Sequence, residues 1–325
     1  MKYFMRLKNI IYRKTHHLKI HSRLFYHNLF YRTITNFCLN FRINKTKDVD
    51  ELMSFNTNLK REIEIKEEDY SLTEVVLACY FIKKANPQSG EQQKKANFEF
   101  IKPWYNSINK LKINGIIIHD GLDQNFITKH TTEFVKFRKF TQGNNNVLDE
   151  RWLFYYYFIS KTNIKKAFCT DISDVKIKKD PFNFIKKKTL YIGRDNANKI
   201  RLSGWMLEEM NNLKKAVKIP SNFIYQSVYN VGIVGGDRKM LLFTLSKFCD
   251  LFLKVNSSDF HEMTLFNLII YKYIPVKFSW KANEPIEVDN LKDNIAKSKF
   301  VFSGLPLNNA FKSFNEDLDV IFIHK

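Results

Sequence analysis

Two aspartates stand where a buried apolar stretch gives out, in Phe168-Cys169-Thr170-Asp171-Ile172-Ser173-Asp174-Val175. Ala167–Thr170 reads as a strand, and α/β sheets place their ligands just beyond the carboxyl ends of strands. Carboxylate oxygens at such a place suit Mg2+ or Mn2+, hard cations that share their coordination with phosphate oxygens. Asp171 and Asp174, on one short turn, are candidate ligands for a cation carrying a nucleoside diphosphate. Without that chemistry, Asp171 caps a turn and Asp174 is a solvated loop acid.

Further along lies Tyr229-Asn230-Val231-Gly232-Ile233-Val234-Gly235-Gly236. Its glycines match neither G-x-G-x-x-G nor a phosphate-binding P-loop. Gly232, Gly235 and Gly236 fit a tight turn with close backbone approach to a sugar, or a turn before a helix capped by Asp237. Asn230 is suited to sugar hydroxyls or, equally, to backbone groups in the interior. Asp259 and Glu262, three residues apart, read as an N-cap and capping box, a structural role ranked above acid–base work. The Arg151 fork fits a diphosphate, though surface helices also carry such arginines. His119-Asp120 ends a strand near any nucleotide, or simply occupies a loop.

Other chemistries find little support. There is no Gly-x-Ser-x-Gly elbow, no cysteine with a matching histidine, and no paired-cysteine zinc spacing. His16-His17 with His21 has ligand-like spacing, but it lies among cations that would repel a metal. Cys38, Cys79, Cys169 and Cys249 are far apart, and Cys79 and Cys169 sit in apolar runs. They read as buried free thiols of a reducing compartment.

These residues need a scaffold, and the chain alternates strand with helix. Val75–Ile82 is a continuous apolar run, as in a strand covered on both faces. Asn114-Gly115 precedes a strand at Ile116–His119, and a further strand is expected over Glu133–Phe140. Leu148–Thr162 reads as a helix. Strands follow at Thr189–Ile192, Val228–Val234 and Val320–Ile323, with helices over Asp237–Val255 and Asp259–Tyr273. Such alternation predicts an α/β fold, a mostly parallel sheet flanked by helices.

The chain has 325 residues and a net charge of +20, unevenly placed. Residues 1–47 hold 11 Lys or Arg and no acid, so the remaining 278 residues carry only +9. Aromatics interleave with these cations (Tyr3, Phe4, Tyr12, Phe25, Tyr26, Phe30, Tyr31, Phe37), a composition suited to an anionic membrane surface. A basic helical extension packed on the main domain is the equal alternative. Nucleic acid ranks last as a partner, since no recognition motif accompanies the charge. The expected organisation is a basic helical arm and charged linker over 1–70, then one domain over 71–325. Neither a secretory signal nor an apolar run of membrane-spanning length is visible, which predicts a cytoplasmic protein, peripheral on the inner face of the membrane.

The order of the motifs adds a resemblance. Asp171-Ile-Ser-Asp174-Val followed by Lys179-Asp180-Pro181-Phe182 resembles the Asp-x-Asp region of GT-A nucleotide-sugar glycosyltransferases, although the spacing here is Asp-x-x-Asp. Arg151-Trp152 precedes it as a donor-side helix does in that fold. Tyr229–Gly236 is similar to an N-x-G-x-x-G-G segment on the acceptor side, and Asp259–Asn267 to the D-(Q/M)-x-x-(F/L)-N segment of the same enzymes. Ile321-Phe322-Ile323-His324 looks like the late strand and histidine that complete the metal site. The resemblance implies a Rossmann-like GT-A domain that uses Mn2+ or Mg2+. It implies a nucleotide-sugar donor, a UDP-sugar first, and a glycan or lipid-linked saccharide acceptor in cell-surface polysaccharide synthesis. It places Asp171, Asp174 and His324 on the metal, and Tyr80, Arg151 and Asp171 on the donor. Asn230, Gly232, Gly235 and Gly236 fall to the sugar and acceptor, and Glu262 or Asp259 to a base. A scaffold that keeps this fold without catalysis is the alternative.

Overall fold

The computed structural model describes residues 62–273 apart from 86–89, 91, 93–94, 144–145, 186–189, 195–199, 201–203, 226–227 and 256–261. It also describes 276–277, 287–288, 301–302 and 321–324. The basic arm, Cys38, His16, His17, His21 and Asp259 lie outside the described residues.

The first half runs β1 (Glu74–Tyr80), α1 (Phe98–Leu111), β2 (Gly115–His119), α2 (Gln124–His130), β3 (Val135–Lys139), α3 (Val147–Lys161) and β4 (Lys166–Thr170). After it come β5 (Val175–Ile177), β6 (Leu190–Arg194), α4 (Gly204–Leu213), β7 (Tyr229–Asp237), α5 (Arg238–Val255) and α6 (Glu262–Tyr273). Short strands β8 (Val276–Lys277), β9 (Glu287–Val288), β10 (Val301–Phe302) and β11 (Phe322–His324) complete the order.

Six strands form the main sheet in the order β3-β2-β1-β4-β7-β6. Strands β1 to β4 are mutually parallel, while β7 lies antiparallel to both β4 and β6. The expected mostly parallel α/β sheet is thus present, with one strand reversed. Successive strands step one way from β1 to β3, and the chain then crosses to β4 on the other side of β1. That change of direction is a topological switch point, where open α/β sheets leave a crevice at their carboxyl edge. A second sheet, β10-β11-β5, stands at this end.

Local chemistry explains the element boundaries. Asn97 accepts the Glu99 amide at the start of α1, Asp123 accepts from Phe126 at α2, and Asn146 accepts from Leu148 at α3. Helix α1 stops at Lys112, its C-cap, in the left-handed conformation (φ 54°). Gly115 opens β2, because a Cβ there would lie 2.8 Å from the Trp104 ring.

Helix α3 carries the aromatic run Trp152–Ile159, rich in residues that favour strands. Every residue of that run is buried. Aromatic side chains lose at most about 0.7 kcal/mol in a helix, whereas burying one contributes roughly 1.5–3 kcal/mol, so packing decides. Trp152 meets Phe266 of α6 at 4.9 Å and Phe248 of α5 at 5.8 Å between ring centroids. Among the described residues no helix is long and apolar enough to cross a membrane. Cys79, Cys169 and Cys249 take part in no disulfide, and the last two are buried.

The expected turn at Gly232–Gly236 does not form. Strand β7 continues through all three glycines to Asp237, which caps α5 through the Met240 amide at 3.1 Å. At Gly235 the reason is the Phe168 ring on β4, whose Cδ1 would be 2.1 Å from a Cβ. Helices α2 and α4 and strand β5 have no counterpart among the expected elements.

Candidate metal centre

Strand β4 ends at Thr170, which is fixed from two sides. Its hydroxyl accepts from the Trp104 indole at 2.9 Å, and its carbonyl accepts from the Tyr155 hydroxyl at 3.2 Å. The next residue, Asp171, donates its amide to the Gly232 carbonyl at 2.8 Å, so β7 sets where the acidic turn begins. Four residues later the chain enters β5, which pairs antiparallel with β11 and sets His324 opposite Val175. Strand β5 is itself pinned to α1, since the Ile177 amide donates to Ser107 Oγ at 3.1 Å.

The result brings together residues more than 150 positions apart. One ligand atom each from Asp171, Asp174 and His324 lies within 4.8 Å of the others. His324 Nε2 is 3.4 Å from both Asp171 Oδ2 and Asp174 Oδ2. Adjacent ligands of an octahedral ion with bonds of about 2.1 Å stand about 3 Å apart, so this spacing fits with small adjustment. Two carboxylates and an imidazole also match the donor preferences of Mn2+.

Gly232 is part of the same arrangement. A Cβ on it would lie 2.0 Å from His324 Cε1 and 2.7 Å from Asp171 Oδ2, so only glycine leaves these ligands their places. Its amide donates to Asn230 Oδ1 at 2.7 Å, which turns Asn230 to a backbone partner.

Charge is balanced behind the cluster. Arg151 of α3 donates through Nη1 to Asp171 Oδ1, and through Nε and Nη2 to Glu262 at 2.9 and 2.6 Å. The Trp152 indole donates to Glu262 Oε2 at 3.0 Å, and the guanidinium carbon stands 5.1 Å from that indole ring. Two carboxylates, Asp171 and Glu262, thus share one guanidinium, and Asp174 adds a third acid on the His324 side of the cluster. Burial works against the Asp171 carboxylate, but Arg151 and His324 hold it well below the usual range. Burial pushes Glu262 up to about 7 against the opposing pull of Arg151. His324 is carried up to about 10, because Asp174 and Asp171 outweigh its burial. A bound cation would take the place of that proton.

Other residues singled out from sequence stand elsewhere or act locally. Tyr80 is at the carboxyl end of β1, but its hydroxyl accepts the Asn97 amide at 2.7 Å and its ring stacks on Phe100 at 5.2 Å. Gly235 and Gly236 pair with Phe168 and Ala167, deeper in the sheet than Gly232. Asp120 accepts the amides of Ile82 and Lys83 at 2.9 and 2.8 Å, tying down the chain after β1. His119 accepts from Leu122 at 3.1 Å, and burial lowers it to about 4, so it is neutral.

The Arg151–Glu262 pairing was not anticipated, though it had a signal. Each residue stands at the head of a largely apolar helical run, Arg151 before Trp152–Ile159 and Glu262 before Met263–Tyr271, and buried charges require a partner. Glu209 gave no such signal beside Glu208 on α4. It is buried, accepts from Thr264 Oγ1 at 2.6 Å, and leaves Oε1 without a partner. No family model matches this chain, and no curated protein matches it significantly.

Proposed function

We propose that this chain is a metal-dependent glycosyltransferase of the GT-A type, moving a sugar from a nucleotide-diphosphate donor to a glycan or lipid-linked acceptor. The observation that carries the reading is the convergence of Asp171, Asp174 and His324 at the carboxyl edge of the sheet. Asp171 and Asp174 share one short turn at a strand end, His324 joins them through the resemblance, and the ligand atoms of the three lie within 4.8 Å of one another. The switch point between β1 and β4 and the mostly parallel sheet support the same reading.

Asp171, Asp174 and His324 would hold Mn2+ or Mg2+, which neutralises charge on the departing nucleoside diphosphate. The chain's own residues then have separable tasks. Asp171 and Asp174 present oxygens on the donor side, and Gly232 keeps the backbone clear of them. Arg151 has both edges of its fork engaged by protein carboxylates, so this reading gives it a holding task in place of a diphosphate contact. Glu262 likewise spends both oxygens on Arg151 and Trp152, which weighs against its use as the base. The acceptor hydroxyl loses its proton to another group, Asp259 among the candidates, or directly to the leaving group with retention of configuration. The basic arm is proposed to bring the protein to an anionic membrane surface, where a lipid-linked acceptor would be found.

The test is turnover of a panel of UDP-, GDP- and CMP-sugars by the full chain, with Mn2+ or with EDTA. Cation-dependent release of one nucleotide is expected, falling at least about 100-fold in Asp174→Asn, on the scale of losing a preorganised electrostatic contact. Equal turnover in Asp174→Asn would remove that residue from the mechanism.

A further inference from the structure

Asp171 divides its two oxygens. Oδ2 faces His324 Nε2 at 3.4 Å, whereas Oδ1 accepts from Arg151 Nη1. Arg151 has little freedom to let go. Its other edge is held by both oxygens of Glu262, at 2.9 and 2.6 Å, and Glu262 is held in turn by the Trp152 indole at 3.0 Å. The side chains of Arg151 and Glu262 are 8% and 4% exposed, and Trp152 is fully buried. Helices α3 and α6, which carry these residues, are locked together by the contact of Trp152 with Phe266. Asp174 shows a weaker form of the same division, with Ser173 Oγ 3.4 Å from Oδ1 while Oδ2 faces His324.

We propose that Arg151, fixed by Glu262 and Trp152, is a positioning residue that makes Asp171 a one-oxygen ligand and thereby sets which divalent cation the site accepts. This rests on the metal-site reading above. Small octahedral ions take one oxygen per carboxylate at about 2.1 Å, whereas Ca2+ takes 6–8 oxygens at roughly 2.3–2.6 Å and favours carboxylates that give both. Withholding Oδ1 lowers the oxygen count available to Ca2+ and leaves the set of one nitrogen and two single oxygens that Mn2+ accepts. Releasing Oδ1 lets Asp171 turn both oxygens inward. Arg151 never touches the cation, so its effect is on orientation and selectivity.

The experiment is titration of the full chain with Mn2+, followed by the electron paramagnetic resonance of the free ion, and then competition by Ca2+. Two variants are compared with the wild type. Arg151→Lys keeps the charge but cannot bridge both acids. Arg151→Met combined with Glu262→Gln avoids leaving a buried charge unpaired, the change most damaging to folding. Both variants should bind Mn2+ roughly 10–100-fold more weakly, as expected on removing a partner that orients a ligand, and their preference for Mn2+ over Ca2+ should fall about tenfold. A merely structural role would leave that preference unchanged, and variants that melt cooperatively with wild-type preference overturn the inference. If Asp174→Asn abolishes Mn2+ binding while the Arg151 variants keep the preference, the inference alone fails. If the wild type does not bind Mn2+, the inference fails together with the metal site.

Discussion

Glu209 shows what a single buried carboxyl does to this fold. It is 8% exposed, and burial raises it from 4.5 to about 8, with Glu262 and Glu208 adding to the rise while Thr264 Oγ1 and the Thr264 amide oppose it. The folded chain therefore keeps this proton between about pH 4.5 and 8, where the unfolded chain has lost it. A folded state that binds more protons loses stability as pH rises through that window, by on the order of a few kcal/mol, and the loss levels off above it. Urea unfolding at pH 6 and pH 8.5 should show the wild type weakening with pH, and Glu209→Gln weakening less. Parallel behaviour of the two proteins would show that Glu209 is ionised throughout. Legibility at this scale was uneven. Asp171 and Asp174 stand out in the sequence as acids at a strand end, His324 joins them only through the resemblance in motif order, and the three side chains lie close together in the fold. The pairing of Arg151 with Glu262 was not legible, since a sequence shows which side chains carry charge but not which are already paired.

At the scale of elements, the site depends on how close two strands come. Strand β7 passes behind Asp171 and His324 with room for a hydrogen at Gly232 and no more. Gly232→Ala should leave the β-strand conformation intact, because the backbone there is extended, yet displace the two ligands. Mn2+ binding is expected to weaken by at least about tenfold, a loss of roughly 1.4 kcal/mol, with melting behaviour changed far less. Unaltered Mn2+ affinity would separate Gly232 from the site. The strands β1, β2, β4 and β7 were legible because apolar runs bounded by polar residues mark buried strands. Helix α2 and strand β5 were not, being short and without clear periodicity. The turn foreseen at Gly232–Gly236 failed for a physical reason: two of those glycines serve close packing, against Asp171 and His324 and against Phe168, and none serves chain reversal. Strand β3 holds an analogous lock at the far edge, where the buried Arg138 binds Asp69 through Nε and Nη2 at 2.7 and 2.6 Å.

Across the whole molecule, the α/β class followed from alternation of strand and helix, and the strand order then puts the acidic turn at the switch point. What alternation could not show was the reversal of β7, which carries Gly232 to the carboxyl end of β4 and sets it against Asp171 and His324. The net charge of +20 misleads if taken as a property of the surface as a whole, since residues 1–47 hold over half of it. Those residues lie outside the described part of the chain, and the domain after them is far closer to neutrality. The central claim is that the converged acids and histidine bind a nucleotide through a divalent cation. It is tested most directly by thermal unfolding of the full chain with UDP, GDP, CMP and their sugars, each with and without Mn2+. One nucleotide should raise the melting temperature only when Mn2+ is present, because a ligand bound solely by the folded state stabilises it, and Asp174→Asn should abolish the rise. Stabilisation independent of Mn2+, or none with any nucleotide, would contradict the account.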